Sequence, residues 1–135
     1  EEQASALLSA VVKTVDDEYQ LTEVPTGGSS LFIGTSRFDP GDTVRVQIPA
    51  RDVSIARERP QTTSILNILP VTVEELRPSG SSRLIIRLNH QGQHLLARIT
   101  RKSADNLELE AGDEVFAQIK SVALLADRQL EGART

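Results

Sequence analysis

Lysine is scarce in this chain of 135 residues: Lys13, Lys102 and Lys120 are the full set. Lys120 stands out because it interrupts an apolar-rich stretch from Val115 to Leu124. There it is either an edge-strand charge that deters further strand pairing or a point charge offered to an anion. His90 and His94 flank one turn and could reach a common metal ion. Two imidazoles without a third carboxylate or thiolate make a weak site, and they read as solvated loop histidines. Asp16-Asp17-Glu18 could attract a cation, but it reads as a solvated acidic loop. Cysteine is absent, which excludes disulfides, thiolate metal sites and thiol nucleophiles. There is no G-x-S-x-G or H-E-x-x-H, and no glycine is followed by lysine as a phosphate-binding loop requires. The chain carries no catalytic set and no cofactor motif.

The elements that must position these residues are short strands. Ala10–Val15 leads into the acidic loop. Tyr19–Val24 and Leu31–Ile33 flank a turn at Pro25-Thr26-Gly27-Gly28 and predict a hairpin. In Thr43–Ile48, Val44, Val46 and Ile48 alternate with Arg45 and Gln47, the period of a half-buried strand. Pro49 ends or kinks it. Farther along come Ile68–Leu76, then Arg83–Leu88, with Leu84, Ile86 and Leu88 on one face. Gln93–Thr100 follows the turn Asn89-His90-Gln91-Gly92. Ser103–Leu107 predicts one helical turn with Ser103 as N-cap. Glu114–Ile119 is a further strand, and Lys120–Leu124 follows it. Residues after about Ala126 are polar and read as a frayed tail.

A repeat runs through this pattern. Gly41-Asp42-Thr43-Val44-Arg45-Val46-Gln47-Ile48 matches Gly112-Asp113-Glu114-Val115-Phe116-Ala117-Gln118-Ile119 at the Gly, Asp, Val, Gln and Ile positions. The fold class that follows is all-β: two small OB-like five-stranded barrel units in tandem, related by a weak internal repeat. The division is 1–59 for the first unit, 60–126 for the second and 127–135 for a flexible tail. Units this small are marginal alone, so they should pack on each other or on a second chain.

Composition narrows the function. The formal net charge is −4, from 15 basic and 19 acidic residues, and aromatics are only 3%. A nucleic-acid binder needs a basic stripe or aromatic platforms, so nucleic acid is not the expected partner. The longest apolar run, Val122 to Ala126, is far shorter than the roughly 20 residues that cross a bilayer. With no methionine anywhere, the chain reads as part of a longer one.

Three blocks in order carry a resemblance: Thr62-Thr63-Ser64-Ile65-Leu66-Asn67-Ile68-Leu69, then Leu96–Ala104 with Leu107-Glu108-Leu109, then Ala117-Gln118-Ile119-Lys120-Ser121-Val122-Ala123-Leu124. Together they resemble the molbindin, or Mop/TOBE, domain. The segment from Val44 to Ala56 resembles the stretch upstream of that domain in ATP-binding subunits of molybdate importers. The resemblance implies a regulatory region that binds molybdate or tungstate between the subunits of a homodimer. It implies no ATPase activity in this region, although the parent chain would be a transporting ATPase partnered by a membrane permease subunit. It places the region in the cytoplasm, peripheral to the inner membrane. The matching oxyanion-binding positions are Thr63, Ser64, Asn67, Thr100, Lys120 and Ser121. Many molbindins carry an arginine before the asparagine of the first block, and this chain has Leu66 there. The alternative is a structural dimerisation domain that binds nothing.

The same residues fit an oxyanion chemically. A tetrahedral dianion presents four acceptor oxygens, and hydroxyls, amides and one ammonium answer them from several directions. Each also has an ordinary reading: Thr63-Ser64 as a turn initiator, Asn67 as a local turn-former, Thr100 as a strand residue. Arg98 and Arg101 flank Thr100 and read as solvated charges, either of which could stand in for the arginine missing at 66.

Overall fold

The alternation of apolar and polar residues along the chain is realised as three antiparallel sheets. The structure, a computed structural model, describes residues 4–126. The strands are β1 (Ser5–Val11), β2 (Thr14–Asp16), β3 (Leu21–Thr26), β4 (Ser29–Ile33), β5 (Thr43–Pro49), β6 (Val53–Ala56), β7 (Asn67–Ser79), β8 (Arg83–His90), β9 (Gln93–Thr100), β10 (Glu114–Ile119) and β11 (Ala123–Ala126). One short α-helix, α1 (Arg101–Leu107), and a 3₁₀ turn at Ala50–Asp52 complete the described elements. The sheet orders are β1-β5-β11, β6-β10-β7-β8-β9 and β2-β3-β4. The tail assigned to 127–135 lies outside the described residues.

The fold is all-β, as expected, and no sheet closes on itself. The edges of the five-stranded sheet, β6 and β9, lie near each other without a hydrogen-bonded ladder between them. Ser54, Ile55, Ile99, Ser103 and Leu107 line the gap. Period-2 patterning decides what faces inward. Val44, Val46 and Ile48 of β5, and Val115, Ala117 and Ile119 of β10, are all buried. They join Leu31, Leu69, Ile86, Leu88 and Leu95 in one contiguous core that draws on both halves of the chain. Each fully buried Leu or Ile side chain contributes about 1.5–3 kcal/mol.

The internal repeat is reproduced in the hydrogen bonds of its two turns. The Gly41 N–H donates to Val12 O (2.8 Å) and the Val12 N–H to Asp42 O (2.9 Å). The Asp42 carboxylate accepts the Asp39 N–H (2.9 Å). In the second copy the Gly112 N–H donates to Val73 O (2.7 Å) and the Val73 N–H to Asp113 O (2.8 Å). Asp113 accepts the Glu110 N–H (2.9 Å). Both glycines have positive φ, +93° and +97°, which explains why glycine recurs at this place.

The copies are also joined by exchange of their last strands. β6 follows β5 in sequence but pairs with β10, Val53 opposite Ile119. β11 follows β10 but pairs with β5, Leu124 opposite Val46. The two crossovers, Pro49–Asp52 and Lys120–Val122, therefore pass one another. A hydrogen bond from the Lys120 N–H to Asp52 O (2.8 Å) ties them together.

Several local expectations are corrected. The helix begins at Arg101 and its N-cap is Thr100, not Ser103: the Thr100 hydroxyl accepts the Ser103 N–H (3.0 Å). A threonine leaving a strand in extended backbone is already placed to cap, so the cap falls three residues early. The predicted strand Ala10–Val15 is two strands broken at Val12-Lys13. There the Val12 and Lys13 amides bond to Asp42 O and Glu23 O rather than within one ladder. Tyr19 is 70% exposed in a turn, and β3 starts at Leu21. Gln20, with φ +57°, makes that turn.

Candidate functional site

Lys120 and Ser121 sit on the β10–β11 crossover, both exposed. The backbone bond to Asp52 fixes this segment beside the 3₁₀ turn. Beneath it lies a groove of about 350 Å³ lined by Ser5, Gln47, Pro49, Arg51, Asp52, Ser121 and Ala123. Gln47 Nε2 reaches Ser5 Oγ at 3.5 Å across it. By the repeat offset of 71, Lys120-Ser121 stands where the first copy has Pro49-Ala50, so only the second copy offers an ammonium and a hydroxyl. Neither Lys120 nor Arg51 forms an ion pair among the described residues.

Thr63 and Ser64 lie in the exposed loop between β6 and β7. The Thr63 hydroxyl accepts the Ile65 N–H (3.1 Å), a local turn that holds the loop's shape. Leu66, where an arginine was expected by resemblance, is 62% exposed. Because Asn67 pairs with Ile119, this loop ends next to the β10–β11 crossover, which brings the first and third blocks of the sequence to one end of β7.

Asn67 is not available as a free donor. Its side chain is buried and both of its polar atoms are engaged. Oδ1 accepts the Phe32 N–H (2.7 Å) and Nδ2 donates to Phe32 O (2.9 Å). The amide takes the place of a neighbouring strand's peptide group and clasps the edge of β4 to the start of β7. Thr100 is similarly committed: besides accepting the Ser103 N–H, it donates to Ser103 Oγ (2.9 Å). Thr100 pairs with Arg83, and Arg83 with Ser79, at the opposite end of β7 from Asn67.

The two histidines do not converge. His90 is buried, with Nδ1 2.8 Å from Pro70 O and Nε2 3.0 Å from Thr26 O. It is a bridge between β3 and β7. His94 is exposed and lies 3.1 Å from Glu74. Partial desolvation acts to raise the Glu74 pKa. Hydrogen bonds from Arg87 and Asn89, with the nearby His94 and Arg87, outweigh it and hold the carboxyl below its usual range. No cluster of three or more His, Cys, Asp or Glu able to hold a metal occurs among the described residues. No helix is long and apolar enough to cross a membrane there.

Arg51 and Gln47, which sequence reasoning did not single out, also line the groove beside Ser121. Their signal was available, since both lie in the segment around Pro49. What hid them was the strand exchange, which brings that segment against Ser121.

Residues 63–126 match the TOBE domain family. Two proteins described as molybdenum import ATP-binding proteins are strongly similar. ModC of Rhodopseudomonas palustris (strain HaA2) is 43% identical over 93% of this chain and 34% of its own length. ModC 2 of Azotobacter vinelandii is 44% identical over 92% of this chain and 35% of its own length. The chain thus spans about a third of the length of the curated relatives it matches. Among solved structures, the cytoplasmic molybdate-binding protein ModG, in a form with molybdate bound, aligns with a TM-score of 0.78 at 21% identity. That alignment covers 90% of this chain and 95% of ModG, and it shows a shared fold. The chain carries a match to the TOBE domain family at residues 63–126, and it is homologous to the C-terminal region of molybdenum-import ATP-binding subunits rather than to their ATPase domain.

Proposed function

We propose that this chain is the oxyanion-sensing part of a molybdate importer's ATP-binding subunit. In this reading it binds molybdate or tungstate and, as a homodimer, biases the spacing of two ATPase domains. The observation that carries the reading is identity of 43% across 93% of the chain to a protein named for molybdenum import. The fold shared with a protein named for molybdate binding supports it. The parent subunit would work with a membrane permease, on the cytoplasmic side of the cell membrane.

The donors in this reading are Lys120 and Ser121 on one crossover and Thr63 and Ser64 on the neighbouring loop, all exposed. Asn67 acts by holding that loop's end against β4. Thr100 acts by capping α1 unless a second copy brings its hydroxyl to the anion. Regulation follows if the anion binds one arrangement of the dimer better than another, since a ligand shifts an equilibrium only by its differential affinity. A ligand at 100 times its dissociation constant stabilises the bound form by about 2.7 kcal/mol, a readily measured rise in thermal midpoint.

The test is thermal denaturation with molybdate, tungstate or equal sulfate, with light scattering to count copies. Molybdate and tungstate should raise the midpoint and sulfate should do less. Lys120→Ala should lose the rise while its ligand-free midpoint stays put. No rise with either metal oxyanion at millimolar concentration refutes sensing. A second reading, a structural dimerisation domain with no ligand, is favoured by one feature: the apolar Leu66, 62% exposed, where a cation would serve an anion. A stable dimer with no bound anion selects it.

A further inference from the structure

Resting on the oxyanion-binding reading, we infer that Arg51 supplies the cation that Leu66 does not. On this inference, the groove at the strand-exchange junction forms part of the seat of the tetrahedral oxyanion, beside Lys120 and Ser121 on the same crossover. The groove is lined by residues from three segments distant in sequence. They are Ser5 at the start of β1, Gln47 and Arg51 on either side of Pro49, and Ser121 on the opposite crossover. These are a guanidinium, an amide and two hydroxyls, all donors. The guanidinium presents a planar fork suited to paired oxygens. Arg51 is exposed and makes no side-chain hydrogen bond or ion pair among the described residues, so its donors are uncommitted.

The groove, of about 350 Å³, is large enough to admit a tetrahedral anion. Rigidity comes from the backbone. The Lys120 N–H to Asp52 O bond locks the two crossovers, and the Val53 N–H bonds back to Ala50 O to fix the 3₁₀ turn that carries Arg51.

Asp52 opposes the anion. Asp52 lines the same groove, and its carboxylate forms no ion pair among the described residues. Arg51 and Asp52 therefore act in opposite senses on one ligand, which gives the inference a signature that a merely structural pair would not show. Removing the carboxylate should tighten binding and removing the guanidinium should weaken it.

The experiment is calorimetric titration of this chain with sodium molybdate and sodium tungstate, sulfate as control, for the parent, Arg51→Gln and Asp52→Asn. Arg51→Gln should weaken molybdate binding by about tenfold or more, the scale of one lost charge-assisted contact. Asp52→Asn should strengthen it several-fold. If the parent binds molybdate and neither variant changes the affinity, the groove is not the site, while the oxyanion-binding reading stands. If the parent binds neither anion, the reading fails and this inference with it. A tungstate soak decides the matter independently of variant folding. An anomalous peak within hydrogen-bond reach of Arg51 and Ser121 supports the inference, and a peak elsewhere overturns it.

Discussion

Replacing Asn67 separates a clasp from a ligand. Asn67 is 6% exposed, and its side chain makes two hydrogen bonds to the backbone of one residue, Phe32, at 2.7 and 2.9 Å. In Asn67→Leu the volume is nearly kept, but the Phe32 N–H and C=O lose their partner. A buried unsatisfied group costs about 1–3 kcal/mol, and two would cost roughly 2–6. Phe32 is 36% exposed, so water can reach part of this edge, and the lower end of that range, about 2–3 kcal/mol, applies. For a chain of this size the midpoint should fall by about 10 °C.

Asn67→Asp adds a pH signature. Its second oxygen faces Phe32 O, so the ionised form repels the carbonyl while the protonated form can donate to it. The folded state then favours the proton, and the carboxyl pKa is raised on folding. The destabilisation is full above the folded-state pKa and is relieved as pH falls through it. Circular-dichroism melts of both variants at neutral and mildly acidic pH, with molybdate titration below the midpoint, make the assay. A midpoint for Asn67→Leu within about 2 °C of the parent would refute the clasp, given the few degrees expected per kcal/mol. An unchanged midpoint with abolished molybdate binding would make Asn67 a direct ligand instead.

Other substitutions test neighbouring parts of the argument. Gly27→Ala should cost about 1–3 kcal/mol in denaturant melts, because the φ of +58° disfavours a side chain and the new Cβ would lie 2.7 Å from Gln91 Cβ. Thr100→Ala should lose about 1 kcal/mol of stability, the typical value of a helix cap, and Thr100→Ser should recover most of it. If Thr100 only caps α1, molybdate affinity will be the same in both variants. Acid should unfold the chain progressively below the ordinary carboxyl range. Glu23, bonded by Ser30 and Thr14, has its pKa lowered on folding. Asp113 is lowered as well, first by the Glu110 amide and, against the pull of burial, by Arg57. A lowered carboxyl pKa gives stability that is present above the unfolded value and lost as pH falls through the folded one. A midpoint unchanged from pH 6 down to about pH 3 would contradict these pairings.

The strand content, the repeat and the inward faces were legible from Gly41-Asp42 and Gly112-Asp113 and from the alternation of Val44, Val46 and Ile48, because period-2 burial and glycine turns are local requirements. The chemistry of the proposed donors was legible too, in a lone lysine beside a serine within an apolar stretch. Tertiary structure alone decided that Asn67 spends both of its polar atoms on Phe32, 35 residues away in sequence. It alone decided that Thr100 turns its hydroxyl onto α1, and that Arg51 shares a groove with Ser121. The exchange of β6 and β11 between the copies is likewise silent in sequence. A strand's alternation specifies which face it buries but not which edge it pairs with, and that choice follows from where the whole core can close around it.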